Sequence, residues 1–344
     1  MAGRNRWLKR CRHWLRAQAK LEIVVPVVVS AGLLGYVMSV AIAPKSASQL
    51  WSVLQQTFVV IIILTFVYLA ARVAVWRQLL IQLGFKIPWR QLLASFAAGE
   101  MTKSVPAGVY AQNYVLSRMN RFNRVSAVRS GMATTALLGL ESLIAVPIAL
   151  IFGVPGNPWV RWTIVGVVAA WVVILLLAYF LAHRFEAGLS RERHPRLQQA
   201  AHLAAEFLEA GAELVSWRTL SALLPTAIYM LVYVVDLDLI LHALGVHGIS
   251  FLQVMNVYAV TILAVILVPI PTEIGITEIS GLSLLQAYGV AGSTAAIAML
   301  SLRLLATGLT ILVAGILLFV LRDELDADER APQSAAGETA PAPH

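Results

Sequence analysis

Six charged side chains lie in stretches of sequence that are otherwise apolar enough to enter a lipid bilayer. A charge in the hydrocarbon region costs at least about 2.5 kcal/mol, so such residues pair with one another or face a water-filled cavity. They could bind a polar group inside the membrane, or they could be buried ion pairs that only fix helix packing. We favour packing for Glu141 taken alone, and binding for those beside helix breaks. The six are Glu100, Lys103, Glu141, Glu273, Glu278 and Arg303.

The first of two interrupted apolar segments covers residues 92–117 and breaks at Pro106 and Gly108. Its flanking residues, Arg90 and Arg118, both belong on the cytoplasmic side. A segment that starts and ends on one face, with a helix breaker midway, is typical of a re-entrant hairpin. Irregular backbone is tolerated at that depth only where protein or a water-filled cavity surrounds it. The alternative is a surface loop followed by an interfacial helix.

The second interrupted segment covers residues 251–289 and breaks at Pro269 and Pro271. We expect it to enter from the outer face and return there, opposite to the first segment. Broken helices at matching positions of two halves indicate a transport site between inverted-topology repeats. The hypothesis of an inverted repeat rests on this arrangement, because sequence similarity between the halves is weak.

The rest of the chain supplies the helices that must hold these segments. Of 344 residues, 59% are hydrophobic and 13% are charged, and the apolar residues form long runs. Runs of about 20 apolar residues are typical of membrane-spanning helices. The sequence therefore predicts an all-α, polytopic membrane protein with a single transmembrane domain over residues 21–321. The predicted spans are residues 21–43, 51–75, 126–152, 159–182, 219–243 and 292–320.

The distribution of lysine and arginine predicts the orientation. Residues 1–20 hold seven basic residues and no acid, whereas the loops predicted on the opposite side hold only Lys45 and Arg161. Basic residues of the stretch 72–90, including Arg72, are counted with the cytoplasmic loops. We expect a multi-pass protein of the bacterial inner membrane with both termini cytoplasmic. The apolar run after residue 20 is longer than that of a signal peptide, so we interpret it as an uncleaved span.

Two segments outside the spans have distinct patterns. Residues 189–215 carry apolar side chains on one helical face and predict an amphipathic connector on the cytoplasmic membrane surface. Residues 322–344 lack the apolar side chains for a core and predict a disordered cytoplasmic tail. The predicted apolar face of the connector consists of Leu197, Ala200, Ala204, Phe207, Leu208, Gly211 and Val215.

The motifs missing from the sequence argue against several classes of function. The sequence has no G-x-x-x-x-G-K-[ST] loop for ATP and no H-E-x-x-H or Cys/His cluster for a metal. The net charge of +8 lies at the ends of apolar runs and accompanies no nucleic-acid motif, so it indicates topology and contact with anionic lipids. We expect no cofactor, no metal, no nucleic-acid partner and no soluble catalytic domain.

The charged and broken segments also carry a set of short motifs in a fixed order. In the first half they are Gly99-Glu100, Lys103, Pro106-Ala107-Gly108 and Arg118. In the second half they are Pro269, Pro271, Gly275, Glu278, Tyr288-Gly289-Val290 and Arg303-Leu304. With these motifs the sequence resembles the integral-membrane (flippase) region of lysylphosphatidylglycerol synthases, which stand-alone YbhN-like proteins share. Thr272-Glu273 stand where that family usually has paired glycines.

The resemblance implies a site and a function. It implies that Gly275 belongs to the second break, and that Arg118 joins the six intramembrane charges in binding substrate. The aminoacyl-transferring domain of the synthases is not in this sequence, so the resemblance implies lipid translocation, flippase or scramblase-like, of a phospholipid or glycolipid. The expected partners are membrane lipids with anionic or sugar-bearing head groups, and a homo-oligomer is open.

Two alternatives remain beside translocation. One is a membrane-embedded partner or regulator of a glycosyltransferase or lipid-modifying enzyme, because relatives are linked with such enzymes. The other is an enzyme that uses intramembrane carboxylates as acid and base, which requires shifted pKa values and suitable geometry.

Overall fold

The computed structural model describes residues 46–104, 108–119, 126–155, 195–267 and 274–323, with a few helical residues within 32–39 and 159–169. All regular elements in these ranges are helices, so the predicted all-α class is confirmed. The main helices are α1 (Ser46–Gln82), α2 (Trp89–Thr102), α3 (Ala111–Met119), α4 (Ala127–Phe152), α5 (Pro195–Leu214), α6 (Leu223–Ala243), α7 (Phe251–Leu267), α8 (Ile276–Ala287), α9 (Gly292–Leu302) and α10 (Gly308–Val320).

Four helical segments of this part of the chain are long and apolar enough to cross a membrane. They coincide with four of the predicted spans, so the chain is a multi-pass membrane protein. The predicted spans 21–43 and 159–182 lie mostly outside the described residues, as do residues 1–20 and most of the tail. The four segments are Ser48–Gln82, Ala127–Phe152, Trp217–Ala243 and Gly292–Val320.

The first of these spans is longer than predicted, and this corrects the assignment of Arg72. Helix α1 continues to Gln82, so Arg72 lies about 15 Å before its end at about 1.5 Å per residue. Its side chain is buried in the protein, with 8% of the residue exposed. Counting Arg72 with the cytoplasmic loop was therefore wrong. The physical reason is that partners from other helices neutralise its charge, which no local hydropathy window records.

Each interrupted segment forms two helices, and these two helices pack against each other. Helices α2 and α3 flank the first break, and α7 and α8 flank the second. Pro106, Pro269 and Pro271 lie outside the described residues. The helix–break–helix arrangement is present in both halves, while the re-entrant path of each pair through a membrane stays a prediction.

The two breaks use glycine for different reasons. Gly108 begins a short 3₁₀ helix, Gly108–Tyr110, and a Cβ there would overlap the carbonyl oxygen of Thr102. The Thr102 hydroxyl donates to the Gly108 carbonyl at 2.7 Å, which closes the end of α2 onto this turn. Gly275 precedes α8 with a φ of +88°, a left-handed conformation that favours glycine.

The helix pairs pack against the long spans. Helix α1 packs along α6, α4 packs on α7, and α10 packs on α2. The two larger apolar cores among the described residues lie around Trp76 and Leu137 and around Ile240 and Leu285. The last span is also interrupted, because a π-helix at Arg303–Thr307 joins α9 to α10. Single π-helical turns inside longer helices are frequent at functional sites.

The amphipathic connector forms helix α5, which packs on α4. Of its residues from His202 onward, Ala210 and Leu214 are buried, and Arg129 of α4 pairs with Glu213. Val215, the last residue of the predicted apolar face, lies one residue beyond the end of α5 and is 86% exposed. The contact with α4 fixes the rotation of α5, and its location on the membrane surface stays a prediction.

Candidate functional site

A cavity of about 320 Å³ lies between the two interrupted segments. Both segments contribute to its lining, together with α1, α4, α6, α9 and the π-helix. Aliphatic side chains and tyrosines make up most of the wall. The charged side chains among the described lining residues are Arg72, Lys103, Glu141, Glu278 and Arg303.

Four of the charged residues form a connected network at the first segment, here named the four-charge cluster: Arg72, Glu100, Lys103 and Glu141. Lys103 Nζ lies 2.9 Å from Glu100 Oε2, and Arg72 Nε lies 3.5 Å from Glu100 Oε1. Arg72 Nη2 lies 3.9 Å from Glu141 Oε1. All four residues are buried. Because two cations face two carboxylates, the cluster is formally neutral and can exist away from water.

Three tyrosines surround the four-charge cluster. The Tyr68 hydroxyl accepts hydrogen bonds from Arg72 and from Lys103, the latter at 3.3 Å. The Tyr229 hydroxyl donates to Glu141 at 2.8 Å, and the Tyr233 hydroxyl accepts from Lys103 at 3.3 Å. Lys103 Nζ also lies 5.0 Å from the centre of the Tyr68 ring, within cation–π range.

The sequence analysis missed these tyrosines and the place of Arg72 beside them. A signal was present in the spacing. Tyr68 and Arg72 are four residues apart in α1, and Tyr229 and Tyr233 are four apart in α6, which puts each pair on one helical face. Tyrosines are common in spans for other reasons, so the spacing gains meaning only once the facing charges are known.

The second segment contributes a smaller group, here named the helix-start pair: Glu278 and Arg303. Glu278 lies in the first turn of α8, where its Oε2 accepts a hydrogen bond from the Gly275 backbone N–H at 2.6 Å. Its Oε1 lies 3.1 Å from Arg303 Nε, at the start of the π-helix. One carboxylate therefore completes a helix start and binds an arginine.

Some of the described site residues predicted from the sequence line the cavity, and others do not. Lys103, Glu141 and the helix-start pair line the cavity, whereas Glu100, which contacts both cations of its cluster, is not among the described lining residues. Glu100 belongs to the four-charge cluster, whereas Glu278 and Arg303 pair with each other at the second segment.

Two of the remaining predicted residues have no described place in the cavity. Arg118 is exposed at the end of α3 and is not among the lining residues, so the geometry gives no support to its expected role in binding. Glu273 lies outside the described residues. The lining therefore retains four of the seven predicted residues and adds Arg72.

Buried amide side chains hold both helix pairs against α4 and around the cavity. At the first pair, Gln112 and Asn113 donate to the Thr134 hydroxyl at 2.7 and 2.9 Å. At the second pair, Asn256 donates to the Gly153 carbonyl and to the Tyr288 hydroxyl, both at 2.7 Å. In a lipid environment such groups must be satisfied by protein, so these bonds fix the position of the segments.

A family comparison decides the relationship of this chain. The family described as the lysylphosphatidylglycerol synthase transmembrane region matches residues 23–315. The chain belongs to this family. The match confirms the resemblance seen in the sequence, and membership in the lysylphosphatidylglycerol synthase transmembrane family indicates a function related to membrane lipids. Searches of curated proteins and of solved structures found no match.

Proposed function

We propose that this protein translocates a lipid with a polar head group between the leaflets of the bacterial inner membrane, with both termini in the cytoplasm. One observation carries the proposal: charged groups from both interrupted segments face a single cavity. Such a cavity gives a head group polar partners where the hydrocarbon offers none. The larger part of the energetic cost of crossing is removal of the head group from water, and paired charges reduce it.

The size and walls of the cavity fit a head group better than a whole lipid. A volume of about 320 Å³ is near the lower end of ligand pockets in proteins, which hold about 300–1,000 Å³. Aliphatic side chains such as Val265, Ile266 and Leu302 line it beside the charges. We therefore infer that the head group enters the cavity while the acyl chains stay in the surrounding lipid.

The test is movement of a labelled lipid in vesicles that contain only the purified protein. Fluorescent phosphatidylglycerol, phosphatidylethanolamine and a glycolipid are incorporated separately, and an impermeant quencher reports the fraction exposed outside over time. We expect the wild type to expose at least one of these lipids faster than protein-free vesicles, and Arg303→Ala to abolish the gain.

The matched control is Arg129→Ala, which removes an arginine from an ion pair with Glu213 that lies outside the cavity. It should transport at the wild-type rate. Wild-type transport by a well-folded Arg303→Ala protein would contradict the proposed site. A pure wild type that moves none of the lipids and co-purifies with a glycosyltransferase would favour the role of partner or regulator.

A further inference from the structure

We infer that Asp236 is a proton-binding site that couples lipid movement to the movement of protons. Its carboxyl group holds a proton while the helices around it are packed, and it releases the proton when they separate. The inference rests on the proposed function and adds a source of energy to it.

Asp236 is an isolated acid within a membrane-spanning helix. It lies in α6 seven residues before the helix ends at Ala243, which is about 10 Å along the axis. The residue is 1% exposed, and its Oδ1 atom has no hydrogen-bond partner among the described residues. It forms no ion pair with this part of the chain, whereas Glu100, Glu141 and Glu278 each contact a cation.

The packing of α6 shows what faces Asp236. Tyr229 and Tyr233 lie seven and three residues before Asp236, so all three share one helical face. The Tyr233 ring lies 5.0 Å from that of Tyr68 in α1 and stacks on that of Tyr258 in α7 at 5.6 Å. This face of α6 is therefore directed toward α1 and α7.

Helix α1 brings no charge to the level of Asp236. Helices α1 and α6 run antiparallel, as the ring contact above and that of Arg72 with Tyr229 at 5.8 Å show. Seven residues from this last contact along each helix, Thr65 is at the level of Asp236. The Thr65 hydroxyl donates to a carbonyl of its own helix at 2.8 Å. A neutral group with its proton already committed is thus what α1 presents here.

The titratable groups on the elements around α6 lie elsewhere. Helix α9 has none. On α6 itself, Asp238 lies 3.5 Å from His242, and it is two residues from Asp236, which puts it on another face. The titratable side chains that contact this face of α6 from other described elements do so at its tyrosines; they are Tyr68 and Arg72 of α1, Lys103 after α2, Glu141 of α4 and Tyr258 of α7.

These surroundings determine the protonation state of Asp236. Burying an isolated ionised carboxylate costs so much that the group takes up a proton instead. Asp236 therefore holds a proton in this arrangement of the helices. Release of the proton requires water or a cation at the carboxylate, and the packed face of α6 must open to admit either one.

Opening this face also changes the cavity. The Tyr229 hydroxyl, on the same face, donates to Glu141 at 2.8 Å. One turn nearer to Asp236, the Tyr233 hydroxyl accepts from Lys103 at 3.3 Å. A movement of α6 that brings water to Asp236 therefore also moves the partners of two charges that line the cavity. Proton release and the state of the cavity depend on one helix, which gives the two events a coupling free energy.

The experiment measures the distribution of labelled lipid under a proton gradient. Vesicles with the purified full chain contain labelled phosphatidylglycerol, phosphatidylethanolamine or glycolipid, and an impermeant quencher reports the fraction outside. A difference of about one pH unit across the membrane is a factor of about ten in proton activity. For a lipid that the wild type moves, we expect the gradient to shift the steady-state ratio between leaflets by up to about tenfold for one proton per lipid. Reversing the gradient should reverse the shift.

Two substitutions of Asp236 test whether this residue carries the proton. Asp236→Asn has the shape of the protonated acid and releases no proton, so the variant should fold and lose the response to the gradient. Asp236→Leu is neutral and leaves no polar atom unpaired, so it should give the same result and replaces the first variant if the buried amide prevents folding. The matched control is Asp238→Asn, which should respond as the wild type does.

Infrared spectroscopy of the detergent-purified protein tests the proton without any lipid movement. At neutral pH, the C=O band of protonated carboxylic acids should be weaker in the Asp236 variants than in the wild type, and unchanged in Asp238→Asn. Equal bands in the wild type and the Asp236 variants would overturn the assignment of the proton.

The two measurements separate this inference from the proposed function. A wild type that moves lipid without responding to the gradient overturns the coupling, as does an Asp236→Asn or Asp236→Leu protein that responds as the wild type does. A wild type that moves none of the three lipids contradicts the proposed function instead, while the infrared comparison decides separately whether Asp236 holds a proton.

Discussion

The two ends of the cavity both bury charged side chains, but they differ in the number of charges and in the number of helices that supply them. At the first segment, four charges from α1, the end of α2 and α4 share partners, and Arg72 contacts both carboxylates. At the second segment, one carboxylate and one arginine suffice, because Glu278 also has the Gly275 backbone N–H. The first end depends on three elements being assembled, whereas the second is largely built by one helix start. The comparison shows that a buried group with more charged side chains needs partners from more helices.

The largest expected effect concerns the faces from which the two segments enter, and it is all-or-none. Single cysteines at the exposed positions Arg90 and Arg118 should both be shielded from an impermeant maleimide in spheroplasts, whereas cysteines at Ser250 and Ala291 should both react. The basis is the lysine and arginine asymmetry. Labelling of the two flanks of one segment from opposite sides would show that the segment crosses the membrane and is not a re-entrant hairpin. Cysteines at positions 3 and 335 should be shielded and one at Asn157 labelled.

The next effect is on stability, and it should be larger at the four-charge cluster. Arg72→Met removes the cation that contacts both Glu100 and Glu141 and leaves the buried cluster with an excess of carboxylate. Removing one partner of a buried pair costs about 3–5 kcal/mol. We expect a strongly lowered melting temperature or loss of monodisperse protein in size-exclusion chromatography.

Two further variants make this measurement decisive. Arg77→Met on the same helix removes an arginine that stacks on Trp89 at 4.3 Å and should change stability much less. Adding Glu141→Gln to Arg72→Met should recover part of the loss. An Arg72→Met protein as stable as wild type would show that the network does not hold the helices together.

At the helix-start pair the expected cost is smaller. Glu278→Gln keeps an oxygen that can accept from the Gly275 N–H and loses only the charge that faces Arg303. Because the Arg303 side chain is 17% exposed, the loss should stay below the about 3–5 kcal/mol of a fully buried ion pair. Thermal unfolding in detergent should therefore show a smaller drop than for Arg72→Met. A larger drop would reverse the comparison between the two ends.

The smallest effect is expected for an ion pair outside the cavity. Arg129 and Glu213 join α4 to α5, and their side chains are 26% and 43% exposed. Exposed pairs contribute about 0–1 kcal/mol. Glu213→Gln should leave melting temperature and lipid transport nearly unchanged, and a loss comparable to that of the buried clusters would show that α5 is more than a connector.

Much of the architecture could be predicted because its causes are local. Long apolar runs require helices that satisfy their own backbone in lipid, and four predicted spans have the expected positions. Gly108 and Gly275 lie at breaks between helices, where the backbone leaves no room for a Cβ at Gly108 and has a positive φ at Gly275. Charge inside an apolar run is equally visible, so Lys103, Glu278 and Arg303 could be proposed for the site from the sequence.

The tertiary structure decided which charges meet. Arg72 looked like a loop residue because only the facing Glu100 and Glu141, from other helices, make its depth acceptable. Tyr229 and Tyr233 could be assigned to the site only from the fold, because their role depends on which residues α6 faces. The grouping into two clusters around one cavity is likewise a property of packing. A sequence fixes where charge enters the membrane, but pairing energy depends on distances between elements, and those exist only in the folded chain.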